Sequence, residues 1–433
     1  MRIEVFPSAS GDCVLITSSD DKRLLCDAGL PAAYDDFIAS PLAELRAQKK
    51  AIDVAYVSHI DRDHIGGILR MLDHEMKWRA FDHMKKRKKK FKKPAVPRPP
   101  EVRQIWHNAF LEDIGKTEAV ELGSALTASA NALAALDAGA LGDQHLASQA
   151  AEVEMLALSV GDAIEVNWRI GADQLDIPLN REFDGDLMVA RPDKAIKLGS
   201  LSITVLGPTA KQLEELRADW IKWLRKSKAQ LARLRSAHKR DVEDLRSGMS
   251  PLDIARLSQE MALAIEKDVT PPNLASLVLL VEENGSRVLL TGDAGDESLL
   301  EYFEAAGLMD ADGRLEVDVL KVPHHGAHNS FSNAFVERVR AANYVFCGDG
   351  EHNNPEPKVV EGYLRAVQAK PLGNGGPIQF WFNWSAARAT KHLALWKKVE
   401  GMFKAGSIPT NIKRRSLGKS ETRLTLELAG ETN

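Results

Sequence analysis

Four side chains that can bind metal ions lie within six residues of one another, in the segment Ser58–Gly67. They are His59, Asp61, Asp63 and His64. Imidazole nitrogens and carboxylate oxygens bind divalent transition metals, and this spacing suits a compact site for one or two such ions. The residue types alone leave a second interpretation open, a polar loop in which Asp63 caps the following helix.

Two later segments place the same residue types directly after apolar runs. Asp293 follows the run that ends at Leu290, and His324 and His325 follow the run that ends at Val322. Short apolar runs of this kind predict buried strands. Three predicted strands that each end in His or Asp are expected when a metal site lies at the edge of a sheet.

The elements that must position these residues alternate along the chain. Short apolar runs bounded by turn residues predict strands, and an Asn284-Gly285 pair between two of them predicts a β-hairpin. The predicted strands are Ile3–Phe6, Cys13–Thr17, Leu24–Cys26, Val54–Val57, Ser276–Val281, Arg287–Leu290 and Val317–Val322. Helices are predicted over Phe37–Lys49, after His64, and over Glu297–Ala306. This alternation predicts an α/β or α+β protein with a layered sheet.

Composition narrows the class of protein and of site. The 433 residues are 44% hydrophobic and 27% charged, which excludes a disordered chain and a small disulfide scaffold. The three cysteines form no Cys-x-x-Cys pair, so a metal here must be held by His and carboxylates. No segment resembles a signal peptide or a membrane span, and we expect a cytoplasmic protein.

The ordered set of motifs resembles the metallo-β-lactamase superfamily, most closely the branch that contains the nuclease-like domain of ComEC-type competence proteins. The motifs are His59-x-Asp61-x-Asp63-His64 with Gly66-Gly67, Thr291-Gly292-Asp293, and Lys321-Val322-Pro323-His324-His325-Gly326. Segments 11–16, 26–29 and 273–279 also resemble family segments. The resemblance covers about residues 1–75 and 270–365 and no P-loop is present.

The resemblance implies an αββα sandwich with two divalent ions, Zn²⁺ or Mn²⁺, along one edge of its sheets. His59 and Asp61 would bind the first ion, and Asp63 and His64 the second. Asp293 would bridge the two ions, and His324 would complete the second ion's ligands. Asp63 or Asp293 would take part in moving a proton, and His325 would face the substrate.

Two departures from the family pattern affect the predicted ligands. Asp61 stands where the common motif has a histidine, a harder ligand that shifts preference from zinc towards manganese. The histidine of the family's third motif is not evident. His107, after a plausible strand, is the best candidate, although a histidine that merely packs at a strand end is an equal interpretation.

The net charge of -4 hides an uneven distribution. Residues 85–93 hold eight basic residues, as do residues 222–240, and the remaining 41 basic residues face 61 acidic ones. We expect a single domain over residues 1–433, with a basic, Pro-rich arm at 77–100 and a helical insertion at 209–268. The two basic clusters favour DNA or RNA as a partner, although solvated surfaces are the alternative. The helical insertion could serve a partner protein or a homo-oligomer.

Three functional hypotheses remain open at this point. The first is a metal-dependent phosphodiesterase, in particular a nuclease, that uses a metal-activated water. The second keeps the hydrolase but gives it a small ester, lactone or cyclic nucleotide as substrate. The third is a catalytically silent binding or effector module. Substrate identity, native metal and oligomeric state do not follow from the sequence.

Overall fold

The computed structural model describes residues 1–108, 159, 162–163, 165–215, 218, 272–369, 372, 376–404, 406 and 408–429. Strands in these ranges form two sheets. They are β1 Arg2–Val5, β2 Val14–Thr17, β3 Arg23–Cys26, β4 Val54–Tyr56, β5 Ile105–Trp106, β6 Ile196–Leu198, β7 Leu201–Gly207, β8 Val278–Glu283, β9 Ser286–Leu290, β10 Leu315–Lys321, β11 Val339–Phe346, β12 Ile378–Phe382, β13 Ile412–Ser416 and β14 Leu424–Glu427. The predicted strands and the hairpin β8–β9 are confirmed to within a few residues.

Each sheet combines antiparallel and parallel pairing. The first has the order β14-β1-β2-β3-β4-β5, and the strands β3, β4 and β5 are parallel. The second has the order β13-β12-β11-β10-β9-β8-β7-β6, with parallel pairs from β13 to β9 and antiparallel pairs from β9 to β6. The carboxyl ends of the parallel strands therefore lie together at one edge of each sheet.

Helices cover the outer face of each sheet. A helical segment Pro31–Ala47, which ends in α1 Ala39–Ala47, and the long helix α2 Arg62–Lys86 belong to the first sheet's half of the chain. The helices that follow strands of the second sheet are α3 Asp296–Ala305, α4 Asn333–Arg338, α5 Pro357–Ala369 and α6 Leu393–Gly401. The predicted αββα sandwich is confirmed by these layers.

Side-chain alternation along the strands separates three apolar layers. In β8, Leu279 and Val281 pack between the two sheets, whereas Val278 and Leu280 face the helices. Successive side chains of a strand point to opposite faces, so a continuous apolar run fills two layers at once. This explains why β8 is apolar without interruption from Val278 to Val281 rather than alternating.

The predicted arm and insertion fall partly outside the described residues. Helix α2 runs to Lys86, so the predicted arm at 77–100 begins inside a helix. Of the predicted insertion at 209–268, only residues 209–215 and 218 are described, and 222–240 lie wholly outside. A single domain over residues 1–433 stays a prediction. Within the described ranges, no helix is both long and apolar enough to cross a membrane.

Candidate metal centre

The predicted metal-binding residues meet where the parallel strands of both sheets end. His59 and His107 follow β4 and β5 of the first sheet, and Asp293 follows β9 of the second. His324 and His325 follow β10 in a short 3₁₀ turn. The loops between these elements are short, so strand order alone brings residues that are distant in sequence to a common edge.

Helix α2 begins inside the first motif and contradicts its capping interpretation. Asp61, not Asp63, occupies the N-cap position, and its side chain makes no capping hydrogen bond. Asp63 lies in the first helical turn. The side chains of Asp61 and Asp63 are 29% and 19% exposed, so both carboxylates lie at the mouth of the site.

Two glycines allow the surrounding loops to approach α2 closely. A Cβ atom at Gly67 would lie 1.9 Å from the carbonyl oxygen of Ala28, and one at Gly11 would lie 1.6 Å from that of Asp63. Neither position can hold a side chain without moving backbone. The first contact holds the loop after β3 against the helix, and the second holds the β1–β2 loop against the site.

Four imidazole nitrogens converge on one carboxylate oxygen of Asp293. The distances to its Oδ2 atom are 3.1 Å from His325 Nε2, 3.3 Å from His64 Nε2, 3.7 Å from His324 Nε2 and 3.9 Å from His59 Nε2. The Nε2 atoms of His64 and His325 are also only 3.2 Å apart. The lone pairs of neutral imidazoles would repel at these distances, and four imidazolium ions would repel more strongly.

Two of the four histidines have a buried carboxylate behind the ring. His64 Nδ1 donates to Asp27 Oδ2 at 2.9 Å, and His325 Nδ1 donates to Asp12 Oδ1 at 3.1 Å. A carboxylate can only accept, so each Nδ1 carries a proton and each Nε2 can offer its lone pair to the centre. This carboxylate–histidine arrangement is the usual support of a metal ligand.

The other two histidines have a serine hydroxyl behind the ring. His59 Nδ1 is 3.0 Å from Ser58 Oγ, and His324 Nδ1 is 3.0 Å from Ser330 Oγ. The Ser58 hydroxyl donates its one proton to Asp27 Oδ2 at 2.7 Å, so it accepts from His59 Nδ1. In the neutral ring His59 Nε2 would therefore offer its lone pair to the centre, and this nitrogen has no hydrogen-bond partner among the described residues.

Lys321 supports the site from inside the second sheet. The side chain is buried, and its Nζ donates to the carbonyl oxygen of Gly292 at 3.0 Å and to Asp293 Oδ1 at 3.5 Å. The same Nζ forms an ion pair with Asp12 Oδ2. One oxygen of Asp293 is thus held by Lys321, and the other is left for the histidines.

Charge interactions dominate the protonation of this buried cluster. Burial opposes ionisation of Asp293, but His325 and His64 outweigh it and hold the pKa of that carboxyl well below its usual range. Burial likewise opposes protonation of His325, yet Asp293 and Asp12 raise its pKa to about 9. The pKa of His64 is also raised, against burial, by Asp293 and Asp27. The cluster attracts positive charge.

His107 lies in a different environment from the four converging histidines. It is buried, and neither ring nitrogen has a hydrogen-bond partner in the described part of the chain. Burial lowers the pKa of His107 to about 4, a shift to which the nearby His59 also contributes, so the ring is neutral. A neutral, unpaired imidazole beside His59 suits the missing third-motif ligand, and that role stays a prediction.

The residues present fit a bound cation. Asp12, His64, Asp293 and His325 each offer a ligand atom within 4.8 Å of the others, and all four are buried. His325, predicted to face the substrate, lies deeper than His324: their side chains are 4% and 21% exposed. Both rings lie beside Asp293, at 3.1 Å and 3.7 Å respectively from its Oδ2 atom.

The backbone is strained where these residues leave their strands. Asp27, His324 and His325 adopt left-handed conformations with φ values of +54°, +47° and +56°. Non-glycine residues in this region cost about 1–3 kcal/mol each and cluster at functional sites. The left-handed pair turns two adjacent histidines towards the same carboxylate.

The sequence motifs did not reveal three supporting residues. Asp12, Asp27 and Lys321 stand within segments that resemble the family, but no role followed for them. Asp27 directly follows β3 and Lys321 ends β10. A polar residue at the end of a buried strand, next to a strand end that carries histidine, was the available signal.

Comparisons with known proteins agree with this geometry. Residues 9–115 match the family model described as "Metallo-beta-lactamase superfamily". ComE operon protein 3 of Bacillus subtilis (strain 168) is 26% identical over 142 residues, which are 32% of this chain and 17% of that protein. The family match, this similarity and the two-sheet fold support the assignment of the chain to the metallo-β-lactamase superfamily and its competence nuclease-like branch.

Proposed function

We propose that this protein is a dinuclear metal-dependent phosphodiesterase that cleaves nucleic acid. The observation that carries the proposal is the convergence of four Nε2 atoms on Asp293 Oδ2, with each Nδ1 directed to a separate partner. Divalent ions resolve the repulsion among these lone pairs, and the superfamily is generally hydrolytic.

The formal charge of the cluster supports two ions rather than one. With neutral histidines, the cluster contains five carboxylates and one lysine: Asp12, Asp27, Asp61, Asp63, Asp293 and Lys321. Their formal sum of -4 equals the charge that two divalent cations compensate. Uncompensated charge at buried positions costs several kcal/mol per ion, so a matched pair of cations is the favourable state.

The distances divide the ligands into two groups. His59 Nε2 is 3.3 Å from Asp61 Oδ2, and we assign these two to the first ion. His325 Nε2 is 3.2 Å from His64 Nε2 and 3.5 Å from Asp63 Oδ2, which favours these three for the second ion. Asp293 Oδ2 lies between the groups, as a bridging ligand requires.

Within this proposal His324 takes the role first predicted for His325. Its side chain is the more exposed of the two, and its Nε2 lies 3.4 Å from Asn273 Nδ2. We propose that His324 contacts the phosphoryl group while His325 binds metal. His107 would complete the ligands of the first ion, beside His59.

The chain's own groups then divide the work of hydrolysis. Bound divalent ions would lower the pKa of water and neutralise charge on the phosphoryl group. Asp63, at the mouth of the site and 3.5 Å from His325 Nε2, is placed to take the proton of the attacking water. Lys321 keeps Asp293 Oδ1 away from the substrate, and Asp12 and Asp27 fix the orientation of His325 and His64.

The test is cleavage by the full chain loaded with Zn²⁺ or Mn²⁺. Single-stranded DNA, duplex DNA, RNA and bis(p-nitrophenyl) phosphate are the substrates, each with and without EDTA. We expect EDTA, Asp63→Ala and His64→Ala each to abolish cleavage. Unchanged cleavage by either variant would rule out the mechanism, and failure on every substrate by the metal-loaded protein would favour a binding module.

A cavity that reaches Asp349, close in sequence to the neighbour of His325, is the basis of a second candidate, hydrolysis of a small ester, lactone or cyclic nucleotide. The cavity has a volume of about 490 Å³ and is lined by Phe37, Trp384, Arg388, Asp349 and Glu351 among others. Asp349 follows Gly348, where a Cβ atom would lie 3.7 Å from His325 Cβ. A pocket of this size suits a small molecule.

Ionic strength separates the two candidates. Binding of a nucleic acid releases counterions, so kcat/KM for a polymer should fall steeply between 50 and 200 mM salt. A small substrate in the cavity should show little change over the same range. A metal content near zero in carefully purified protein would count against both hydrolases.

A further inference from the structure

The basic loop, residues 85–93, is a dense positive surface. Eight of its nine residues are Lys or Arg, none is acidic, and all nine are exposed. Lys85 and Lys86 are the last residues of α2, and the others follow in an irregular turn. Eight like charges this close repel one another, so the surface favours a polyanionic partner.

The basic loop is held at the end of α2 rather than extending freely from it. The chain after the loop returns along the helix, where Trp78 Nε1 donates to the carbonyl oxygen of Val96 at 3.0 Å. Arg98 pairs with Asp82 at 2.7 Å and with Glu75 at 3.3 Å. Lys93 Nζ lies 5.6 Å from the centroid of the Trp78 ring. Both ends of the loop are therefore attached to α2.

Helix α2 fixes the distance between the basic loop and the metal centre. Its first turn carries Asp63 and His64, and its last residues belong to the loop. A helix of 25 residues is about 37 Å long at 1.5 Å per residue. No small molecule contacts both ends, but duplex DNA rises about 3.4 Å per base pair and spans this distance in roughly 11 base pairs.

We propose that the basic loop is a remote anchor that grips the phosphate backbone of a duplex nucleic acid about 9–13 base pairs from the phosphodiester in the metal centre. This inference rests on the proposed function and adds a minimum substrate length to it. A duplex is stiff over this length, so the fixed separation of the two sites converts into a fixed number of base pairs.

The test is binding as a function of duplex length, with anisotropy of labelled duplexes of 6, 8, 10, 12, 16 and 24 base pairs as the readout. The full chain carries Asp63→Asn, which keeps an oxygen ligand and prevents cleavage during the measurement. We expect a step in affinity of at least about tenfold between 8 and 16 base pairs. If four lysines of the basic loop each contact one phosphate, the plot of log binding constant against log salt concentration should also be steeper by about 3 to 4 for long duplexes.

A matched pair of variants separates location from net charge. The loop variant changes Lys88, Lys89, Lys90 and Lys92 to Gln, and the control variant changes Lys397, Lys398, Lys404 and Lys413 to Gln. All eight lysines are exposed, and each variant removes four positive charges. The loop variant should lose the step and keep wild-type affinity for 8 base pairs, whereas the control variant should keep the step.

Several results would overturn the anchor. One is a smooth rise of affinity with duplex length. Another is an equal loss of duplex affinity in the loop variant and the control variant. A third is binding of phosphatidylserine vesicles as tight as that of duplexes, with no length step. The hydrolysis of bis(p-nitrophenyl) phosphate reports on the metal centre alone. A length step without hydrolysis would leave the anchor standing and reject the phosphodiesterase, and hydrolysis without a step would do the reverse.

Discussion

The two kinds of support behind the histidines divide the metal centre into two halves. In the carboxylate-backed half, His64 and His325 donate to Asp27 and Asp12. In the hydroxyl-backed half, His59 and His324 pair with Ser58 and Ser330. A carboxylate behind the ring makes the imidazole a stronger electron donor and fixes its tautomer more firmly than a neutral hydroxyl does.

Exposure sets His324 apart from the other three histidines, and the difference suggests a division of labour. The side chains of His59, His64 and His325 are 2%, 0% and 4% exposed, whereas that of His324 is 21% exposed. The three buried rings suit permanent metal binding. His324 is open to substrate, and the weaker support from Ser330 permits its ring to shift when substrate arrives.

The largest predicted effect is loss of the residue that both halves share. Asp293→Ala should lower kcat/KM for a phosphodiester by about 1,000-fold or more, because it removes the oxygen that we propose as the bridge between two ions and leaves four histidines without their common partner. Asp312→Ala, a change at an exposed turn, is the control and should leave activity unchanged. Activity of Asp293→Ala within tenfold of wild type would contradict the proposed bridging role of Asp293.

The second prediction concerns the carboxylate-backed half. Asp12→Asn and Asp27→Asn should each lower metal affinity by about 10- to 100-fold, since an amide can present its N–H to the ring and favour the wrong tautomer. Competition against a chromophoric chelator measures the affinity. Asp12→Asn also leaves Lys321 without its ion pair, so circular dichroism must show that the variant is folded.

Removal of His107 gives the third prediction, because neither kind of support reaches this ring in the described residues. His107→Phe should lower the affinity for one of two ions by about tenfold or more and leave the other unchanged, because we propose this ring as a ligand of the first ion. Two intact affinities together with a more stable metal-free protein would show instead that the ring only packs, because two unpaired buried nitrogens disappear.

The smallest effect is expected in the hydroxyl-backed half. Ser330→Ala removes one hydrogen bond to His324, which corresponds to about 0.5–1.5 kcal/mol, or a change of about 2- to 12-fold in affinity or KM. A loss of metal affinity in Ser330→Ala as large as that in Asp12→Asn would contradict the distinction between the halves. A change in KM without a change in metal affinity would support it.

The metal-binding residues at the strand ends were predictable from the sequence, whereas the residues that support their rings were not. The runs before His59, Asp293 and His324 are apolar and short, and strands that share a sheet must bring their ends together. Asp12 and His325 are 313 positions apart in sequence, and nothing local indicates that they pair across the two sheets. Such a contact depends on the order of strands, which short-range patterns do not encode.

The choice between adjacent histidines was also beyond the sequence. His324 and His325 are chemically identical neighbours, both with a left-handed backbone, and only the folded chain shows that the ring of His325 is the more buried. The position of the basic loop was likewise not predictable from local sequence patterns. Its composition predicted an exposed segment, but the contacts of Trp78 and Arg98 that hold it at the end of α2 depend on the fold.

The most direct test of the central claim is the metal content of the purified full chain. The protein would be saturated with Zn²⁺ or Mn²⁺, dialysed against metal-free buffer and measured by inductively coupled plasma mass spectrometry. The account predicts about two ions per wild-type chain and at most about one in Asp293→Ala, with both chains folded. A wild-type chain that retains no stoichiometric metal, or an Asp293→Ala chain that retains two ions, would contradict it.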